Sequence, residues 1–306
     1  MYREMWALIT KYIWDEVILP LETRAILIKW VFIYKKDADG YITKFKTRLC
    51  VWGDLQLGVH KQDVYAITAT FKTFRLIMAL VAVFNLEVIH LDAVNAFINA
   101  NINEEIYIIM PKGYKEGRKD MVLKLQKALY GLCKSLKLWF IEILATLRRL
   151  GLIPVPDKPY LFVHPTKPIL IFFYVDDILL MVTKPHLTDL EELAINFANT
   201  YEIWRIKKFN QFLNICIIRD RLNWRLYLSQ DQYIDKLVTQ FNQEYAKLPF
   251  IPLSGQDLKP FKGEVTLGEI NAYQVWIGSI IYPATTLRAD IAYAVIKLTE
   301  FMQNPS

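Results

Sequence analysis

The segment "ILIFFYVDDILLMV" (Ile169–Val182) places two adjacent carboxylates, Asp176 and Asp177, between two apolar runs. The β-branched and aromatic residues in both runs favour two strands joined by a tight turn over a single buried helix. Burying a charge is costly unless the charge is paired or bound to metal. A divalent cation relieves the repulsion between neighbouring carboxylates, and hard oxygen ligands suit Mg²⁺. The segment therefore predicts a β-hairpin with a cation site at its tip.

A second apolar stretch also ends in a carboxylate. "LEVIHLD" (residues 86–92) is typical of a strand that ends at Asp92. Two strand ends could bring three carboxylates together. Such a donor set could hold two metal ions about 3.5–4 Å apart, as in two-metal phosphoryl chemistry. The residues alone leave two alternatives open: a solvated Asp-Asp turn, and an Asp92 that caps a helix N-terminus.

Residues 29–53, "KWVFIYKKDADGYITKFKTRLCVWG", predict a second hairpin. β-branched and aromatic runs flank the Asp-Gly pair at 39–40, which tolerates the positive φ angles of a tight turn. On the return strand, Lys44, Lys46 and Arg48 recur at period two, so all three point to one face. This face is either an ordinary solvated surface or a basic ladder for phosphates.

The composition bounds the class of protein. A chain of 306 residues, 54% of them hydrophobic, is folded and suggests two or three subdomains. The net charge of +6 leans toward a polyanion partner, although a merely basic soluble protein fits equally well. The three cysteines form no CxxC pair, which indicates no zinc site or disulfide framework, and we interpret them as buried thiols. No signal peptide is recognised and no run of ~20 uninterrupted apolar residues occurs, so we expect a soluble, intracellular protein.

Helical patterns and stop signals predict six helices. The pattern Thr188-x-x-Glu191 indicates a capping box, Ser229-x-x-Gln232 is expected to open another helix, and the proline-rich piece at 154–159 is expected to break the chain. The predicted helices are Thr70–Phe84, Lys137–Leu150, Thr188–Tyr201, Ser229–Phe241, Leu267–Ile280 and Asp290–Met302.

Tyr174-Val175-Asp176-Asp177 resembles the YxDD signature of reverse transcriptases. The resemblance extends from about Trp14 to Pro305 and is closest to the reverse transcriptase domain of copia-type LTR retrotransposons, a fragment of their Pol polyprotein. Six blocks match that family in order: residues 29–56, "DAVNAFINANINEEIYIIMPKGY" (92–114), "LYGL" (129–132) followed by Trp139, the YVDD segment, "LSQDQYIDKL" (228–237), and "IGSIIY" to "LRADIAYAV" (277–295).

The resemblance implies that Asp92, Asp176 and Asp177 are catalytic and hold two Mg²⁺ ions, with Mn²⁺ as a substitute. One ion would lower the pKa of the primer 3′-hydroxyl, and the other would neutralise charge on the leaving pyrophosphate.

The resemblance also implies four nucleotide-binding residues. Phe97 matches an aromatic that lies under the incoming sugar, where a bulky ring favours deoxynucleotides. Arg48, with Lys46, would neutralise the triphosphate, and Tyr130 would lie near the nucleotide. Core packing is the alternative that the residues leave open for Phe97 and Tyr130.

The fold that the resemblance implies is α+β: a right-hand polymerase with fingers, palm and thumb, in which helices flank an antiparallel palm sheet. The predicted divisions are an N-terminal extension (1–27), fingers with the first part of the palm (28–155), palm with the YVDD hairpin (156–228), the start of the thumb (229–247), a linker (248–264), and a C-terminal helical region (265–306) before a ribonuclease H domain that is missing here.

The implied activity is RNA-directed DNA polymerisation. Its partners would be an RNA template, a DNA or RNA primer and dNTPs, with no membrane, in the cytoplasm within a virus-like particle, or in the nucleus. Three segments depart from the family pattern, at 133–136, 212–215 and 288–290, and they bear on primer–template positioning. Two other hypotheses remain: a catalytically decayed relic that folds and binds RNA without polymerising, and an unrelated two-metal phosphodiesterase.

Overall fold

The computed structural model describes residues 1–36, 41–56, 58, 69–115, 120–247, 250–253, 258–259 and 261–305. The described helices are α1 (Tyr2–Thr10), α2 (Phe71–Val83), α3 (Ser135–Arg149), α4 (Leu187–Thr200), α5 (Asp231–Gln240), α6 (Leu267–Thr286) and α7 (Ala289–Thr299). The described strands are β1 (Trp14–Ile18), β2 (Ile28–Lys36), β3 (Ile42–Val51), β4 (Glu87–Ala93), β5 (Tyr107–Ile108), β6 (Met121–Leu125), β7 (Ile153–Val155), β8 (Lys158–Val163), β9 (Ile169–Tyr174), β10 (Asp177–Val182), β11 (Ile203–Ile206), β12 (Gln211–Phe212), β13 (Ile215–Asp220) and β14 (Arg225–Ser229). The predicted α+β class with antiparallel sheets is confirmed. None of the described helices is both long enough and apolar enough to cross a membrane.

The chain divides into two compact units. The first comprises Met1–Ala69 and Glu87–Ile206, and the second comprises Thr70–Leu86 and Lys207–Ser306. The predicted boundaries of fingers, palm, thumb and linker stay predictions. Parts of the predicted linker, at 248–249, 254–257 and 260, lie outside the described residues.

The first unit is built around a six-stranded antiparallel sheet with the order β11-β4-β10-β9-β8-β7. Its central hairpin, β9 and β10, is the segment with the two aspartates, and Ile178–Val182 is fully buried. Helix α4 packs on β4 and β10, and Phe140 of α3 contacts Phe173 of β9 with ring centroids 5.8 Å apart. Because the hairpin is buried on nearly every residue, its sequence is a continuous apolar run rather than an alternating one.

Strands β2 and β3 form the predicted two-stranded hairpin. The Asp-Gly turn predicted at 39–40 lies outside the described residues. The register pairs Val31 with Arg48 and Ile33 with Lys46, so the cations of β3 share one face, as their spacing predicts. The end of β3 enters the core of the unit, where Leu49 is buried with Leu8 of α1.

The prolines at 154–159 do not break the chain. Pro154 and Pro159 lie in two short paired strands, Pro156 lies in the turn between them, and Pro154 of β7 pairs with Phe162 of β8. Because β7 is the edge strand of the sheet, a residue without an N–H interrupts no ladder there. The turn between these strands contains Asp157 at a φ of +58°, a conformation that aspartate tolerates. The predicted break is therefore wrong.

The predicted capping box of α4 is also wrong. The helix begins at Leu187, and its N-cap residue, His186, makes no side-chain hydrogen bond to the helix backbone. Thr188 thus lies inside the first turn. Glu191 instead forms a salt bridge of 2.5 Å with Arg205 of β11.

The three cysteines are free thiols, but the interpretation that they are buried is wrong. Cys50 and Cys133 are partly exposed, and Cys216 is exposed. On β13, Ile215 and Ile217 point into the core. Cys216 lies between them and therefore points to the opposite face.

The second unit combines a three-stranded sheet, β12-β13-β14, with helices α2, α5, α6 and α7. Phe74 of α2 stacks on Phe212 of the sheet at a centroid distance of 5.2 Å. Helix α5 begins at Asp231, so Ser229 lies before the helix and not at its first turn. Helix α6 opens with a capping box in which Thr266 and Glu269 satisfy each other's backbone N–H groups.

Helix α6 continues beyond its predicted end at Ile280 although it contains Pro283. A proline cannot donate a hydrogen bond to the carbonyl four residues earlier. The hydroxyl of Tyr233 donates to that carbonyl, on Ser279, at 2.9 Å. A side chain from α5 therefore replaces the missing backbone donor, and the helix reaches Thr286.

Candidate active site

The register of the central sheet brings the three predicted carboxylates to one end of the sheet. Asp177 of β10 and Asp92 of β4 are direct cross-strand partners, so their side chains lie on the same face. Asp176 occupies the turn before β10, and its carbonyl accepts a hydrogen bond from the backbone N–H of Ala93 at 2.8 Å. The backbone of the sheet therefore brings the end of β4 and the start of β10 together, as the sequence predicted.

Trp139 braces the turn that carries the aspartates. Tyr174 pairs with Asp177, which leaves Val175 and Asp176 as the two turn residues. Val175 has a φ of +58°, a region that β-branched residues rarely enter. Its carbonyl accepts a hydrogen bond of 2.6 Å from Nε1 of Trp139, which is only 1% exposed. The motif position of Trp139 was recognisable in the sequence, but a contact across 36 residues was not.

The electrostatics of the turn are those of crowded carboxylates. Burial raises the pKa of Asp176, and the charges of Asp177 and Asp92 raise it further, whereas Lys46 lowers it. A cation bound beside these groups would remove this repulsion.

The carboxylate oxygens of Asp92, Asp176 and Asp177 are hard ligands of the kind that Mg²⁺ prefers. This ion typically takes one or two protein carboxylates and completes its shell with water and substrate phosphates. Among the described residues, no group of three or more histidine, cysteine, aspartate or glutamate side chains is arranged so that it could hold a metal ion by itself. The three carboxylates fit a cation that completes its shell with water or phosphate oxygens.

Histidine 90 is a member of the site that the sequence analysis missed. Its Nε2 donates a hydrogen bond to Oδ1 of Asp177 at 2.6 Å, and the residue is 6% exposed. His90 precedes Asp92 by two residues on β4, so both side chains lie on one face of the strand. That spacing is the sequence signal that could have identified it.

Three of the four predicted nucleotide-binding residues are stacked together. The guanidinium carbon of Arg48 lies 4.9 Å from the ring centroid of Tyr130, and Phe97 contacts the same ring edge-on at 5.1 Å. The Tyr130 hydroxyl donates to Oδ1 of Asn95 at 3.5 Å. Burial raises the pKa of Tyr130 to about 12, so its hydroxyl stays protonated near neutral pH.

A glycine lets the loop that carries Tyr130 approach β3 closely. Gly131 has a φ of +89°, and a Cβ there would lie 2.1 Å from the carbonyl oxygen of Val51. The backbone N–H of Val51 donates to the Tyr130 carbonyl at 2.7 Å. The "LYGL" loop is thereby fixed against the strand that carries Arg48.

The fourth predicted residue, Lys46, lies on the same face of β3 as Arg48, and its charge acts on Asp176. Glu4 of α1 is a further neighbour: burial raises the pKa of its carboxyl group, and Lys46 and Arg48 lower it. The structure thus brings the predicted residues into one region of the first unit, while their assigned roles stay predictions.

A family model described as reverse transcriptase (RNA-dependent DNA polymerase) matches residues 11–254. The chain is 30% identical over its whole length to the Retrovirus-related Pol polyprotein from transposon TNT 1-94 of Nicotiana tabacum, of which it covers 24%. It is 28% identical to the corresponding polyprotein from transposon RE1 of Arabidopsis thaliana, of which it covers 21%. It therefore spans about a quarter or less of the length of these relatives.

A shorter relative is aligned over the same fraction of both proteins. The putative transposon Ty5-1 protein YCL074W of Saccharomyces cerevisiae is 30% identical to this chain, with 70% of each protein aligned. Among solved structures, the foamy viral protease-reverse transcriptase in complex with double-stranded DNA matches 97% of this chain and 45% of its own, with a TM-score of 0.45 and 13% identity.

Proposed function

The chain belongs to the reverse transcriptase (RNA-dependent DNA polymerase) family, and from this membership we propose that it is an RNA-directed DNA polymerase domain. The proposed reaction joins a dNTP to the 3′-hydroxyl of a primer paired with an RNA template and releases pyrophosphate. The observation that carries the proposal is the cross-strand pairing of Asp92 with Asp177, with Asp176 in the adjoining turn.

The three carboxylates hold the cations in this proposal. Two Mg²⁺ ions, when bound, neutralise charge on the attacking and leaving oxygens, and Mn²⁺ can replace them. Asp92 and Asp177 present their carboxylates from rigid strands, and the hydrogen bond from Trp139 keeps the turn with Asp176 in place. The partial burial of Asp176 strengthens its attraction to a cation, because the surrounding dielectric is low.

The triphosphate is bound by the cations of β3. The guanidinium of Arg48 lies over the ring of Tyr130, and this contact preorganises its planar set of donors for phosphate oxygens. Lys46 adds a second positive charge on the same face. Phe97 packs on the edge of Tyr130, and its ring limits the space beside the sugar 2′-carbon, which favours deoxynucleotides.

Primer extension on an RNA template tests this proposal. Purified protein, Mg²⁺ and dNTPs should elongate a labelled DNA primer, and Asp177→Asn should lower the rate by about 10²–10³-fold or more, since a charged ligand is lost. The matched control is Asp157→Asn, which removes one exposed aspartate in a turn where asparagine is tolerated. This control should retain the rate of the unmodified protein.

Two results contradict the proposal. An unmodified protein that extends no primer at any Mg²⁺ or Mn²⁺ concentration, yet is folded and binds RNA, is a relic without catalysis. A protein that degrades the labelled strand in the absence of nucleotides is a phosphodiesterase.

A further inference from the structure

His90 and Asp177 form a partly buried contact to which the proposed reaction assigns no role. His90 lies in the middle of β4, opposite Leu179 of β10, and Asp177 lies diagonally across from it. The separation of 2.6 Å between Nε2 and Oδ1 is that of a short, well-formed hydrogen bond. Both β4 and β10 are interior strands of the six-stranded sheet, so the backbone fixes the relative position of the two residues.

A carboxylate with one oxygen held in this way cannot rotate freely. The two oxygens of Asp177 become distinct: Oδ1 accepts from His90, and Oδ2 remains for a further partner. Hydrogen bonds that orient a metal-binding side chain commonly change metal affinity by about 10–100-fold when they are removed.

We propose that His90 is a positioning residue that orients the carboxylate of Asp177 for a divalent cation. This inference rests on the proposed cation-binding role of Asp177. It assigns His90 no contact with the nucleotide, the primer or the cation, and it requires only that the side chain at position 90 donate a hydrogen bond to Oδ1.

A matched pair of variants separates this role from core packing. His90→Gln keeps an N–H donor near the position of Nε2, whereas His90→Leu keeps a similar volume without a donor. If His90 only packs in the core, both variants should bind Mn²⁺ with similar affinity. If its N–H orients Asp177, glutamine should preserve the affinity for Mn²⁺ and leucine should not.

The readout is Mn²⁺ binding to the full chain, measured by electron paramagnetic resonance without primer or nucleotide. We expect His90→Leu to raise the Kd for Mn²⁺ by about 10–100-fold and His90→Gln to remain within about threefold of the unmodified protein. Circular dichroism and thermal melting report whether each variant is folded. If leucine unfolds the chain, His90→Met provides a more adaptable side chain without a donor.

Equal Mn²⁺ affinities in folded leucine and unmodified proteins overturn the inference, as does an equal loss in both variants or an unmodified protein that binds no Mn²⁺. Parallel primer extension separates the two proposals. If Mn²⁺ binding depends on the N–H donor at position 90 but the protein extends no primer, the proposed polymerase activity is contradicted and the role of His90 is not. Extension by a leucine variant with full Mn²⁺ affinity contradicts the role of His90 alone.

Discussion

The backbone of the "LYGL" loop lies so close to β3 that residue 131 has no room for a side chain. A Cβ on Gly131 would lie 2.1 Å from the Val51 carbonyl oxygen and 2.9 Å from its nitrogen. Both are backbone atoms, so no side-chain rotation can relieve the contact. The loop also carries Tyr130, on which Arg48 stacks. A side chain at position 131 would therefore push the loop away from β3 and separate Tyr130 from Arg48.

Gly131→Ala should lower the free energy of unfolding by about 3 kcal/mol or more, because steric overlap adds to the cost of positive φ. Gly151→Ala is the matched control: Gly151 has a φ of +81°, but a Cβ at this position would meet no atom within 4 Å. It should cost only about 1 kcal/mol. Urea denaturation measures both values, and equal losses would show that the close approach to β3 is unimportant.

Glu4 provides a test of charge at the same scale. Burial raises the pKa of its carboxyl group, against the lowering effects of Lys46, Arg48 and the α-amino group of Met1. Because the pKa is higher in the folded than in the unfolded chain, the folded state holds the proton more tightly. The associated stability is present at low pH and is lost as the pH rises through the folded pKa.

Glu4→Gln removes the free-energy cost of burying the ionised carboxylate at high pH. The variant should therefore melt at a higher temperature than the unmodified protein at about pH 8, with a smaller difference at about pH 4. Glu22→Gln, at an exposed position, is the control and should change little at either pH. A Glu4→Gln variant that is less stable than the unmodified protein at about pH 8 would mean that attraction to the cations outweighs burial.

At the scale of elements, local patterns predicted six of the seven described helices but fewer of the strands, among them β4 and the hairpins β2–β3 and β9–β10. The apolar runs around Asp176 and Asp177 became β9 and β10, and the period-two cations of β3 share a face. Contacts between distant residues could not be predicted in this way. His90 and Asp177 are 87 residues apart, and no local pattern contains their hydrogen bond. Only the register of β4 against β10 brings them together.

The two Thr-x-x-Glu patterns show why a cap is harder to predict than a helix. Both have the residues of a capping box, but only Thr266 and Glu269 form one. At Thr188 the preceding 3₁₀ turn starts the helix earlier, and Glu191 pairs with Arg205. The two patterns therefore differ in where the helix starts and in the partner of the glutamate, and neither feature is contained in the four-residue pattern.

Thr266→Ala should destabilise the start of α6 by about 1 kcal/mol, because the N-cap hydrogen bond is lost. Thr188→Ala should have little effect or a slightly stabilising one, since alanine is the better helix former inside a first turn. Hydrogen exchange of the first-turn amides in each helix measures the local effect. Equal increases in exchange at the two helices would contradict the distinction between them.

At the scale of the whole molecule, the positive charge is unevenly distributed along the sequence. The net charge is +6, and the sequences of β2 and β3 contain six lysine or arginine residues and no aspartate or glutamate. Exposed aromatic side chains share this hairpin, with Phe32 at 64% and Phe45 at 77% exposure. Cations and exposed rings together are typical of surfaces that bind single-stranded nucleic acid.

Salt dependence separates binding of the nucleic acid backbone from binding of the nucleotide. For duplex DNA, the logarithm of the association constant falls with the logarithm of salt concentration, with a slope of about −0.9 for each phosphate neutralised. If Arg48 binds the triphosphate, as proposed, Arg48→Gln should raise the KM for dNTPs by about tenfold or more and leave the salt slope for primer–template unchanged. Arg205→Gln is the control, because Arg205 is exposed and paired with Glu191, and it should alter neither quantity. A slope that becomes shallower by about one in Arg48→Gln, with an unchanged KM, would place Arg48 on the nucleic acid backbone instead.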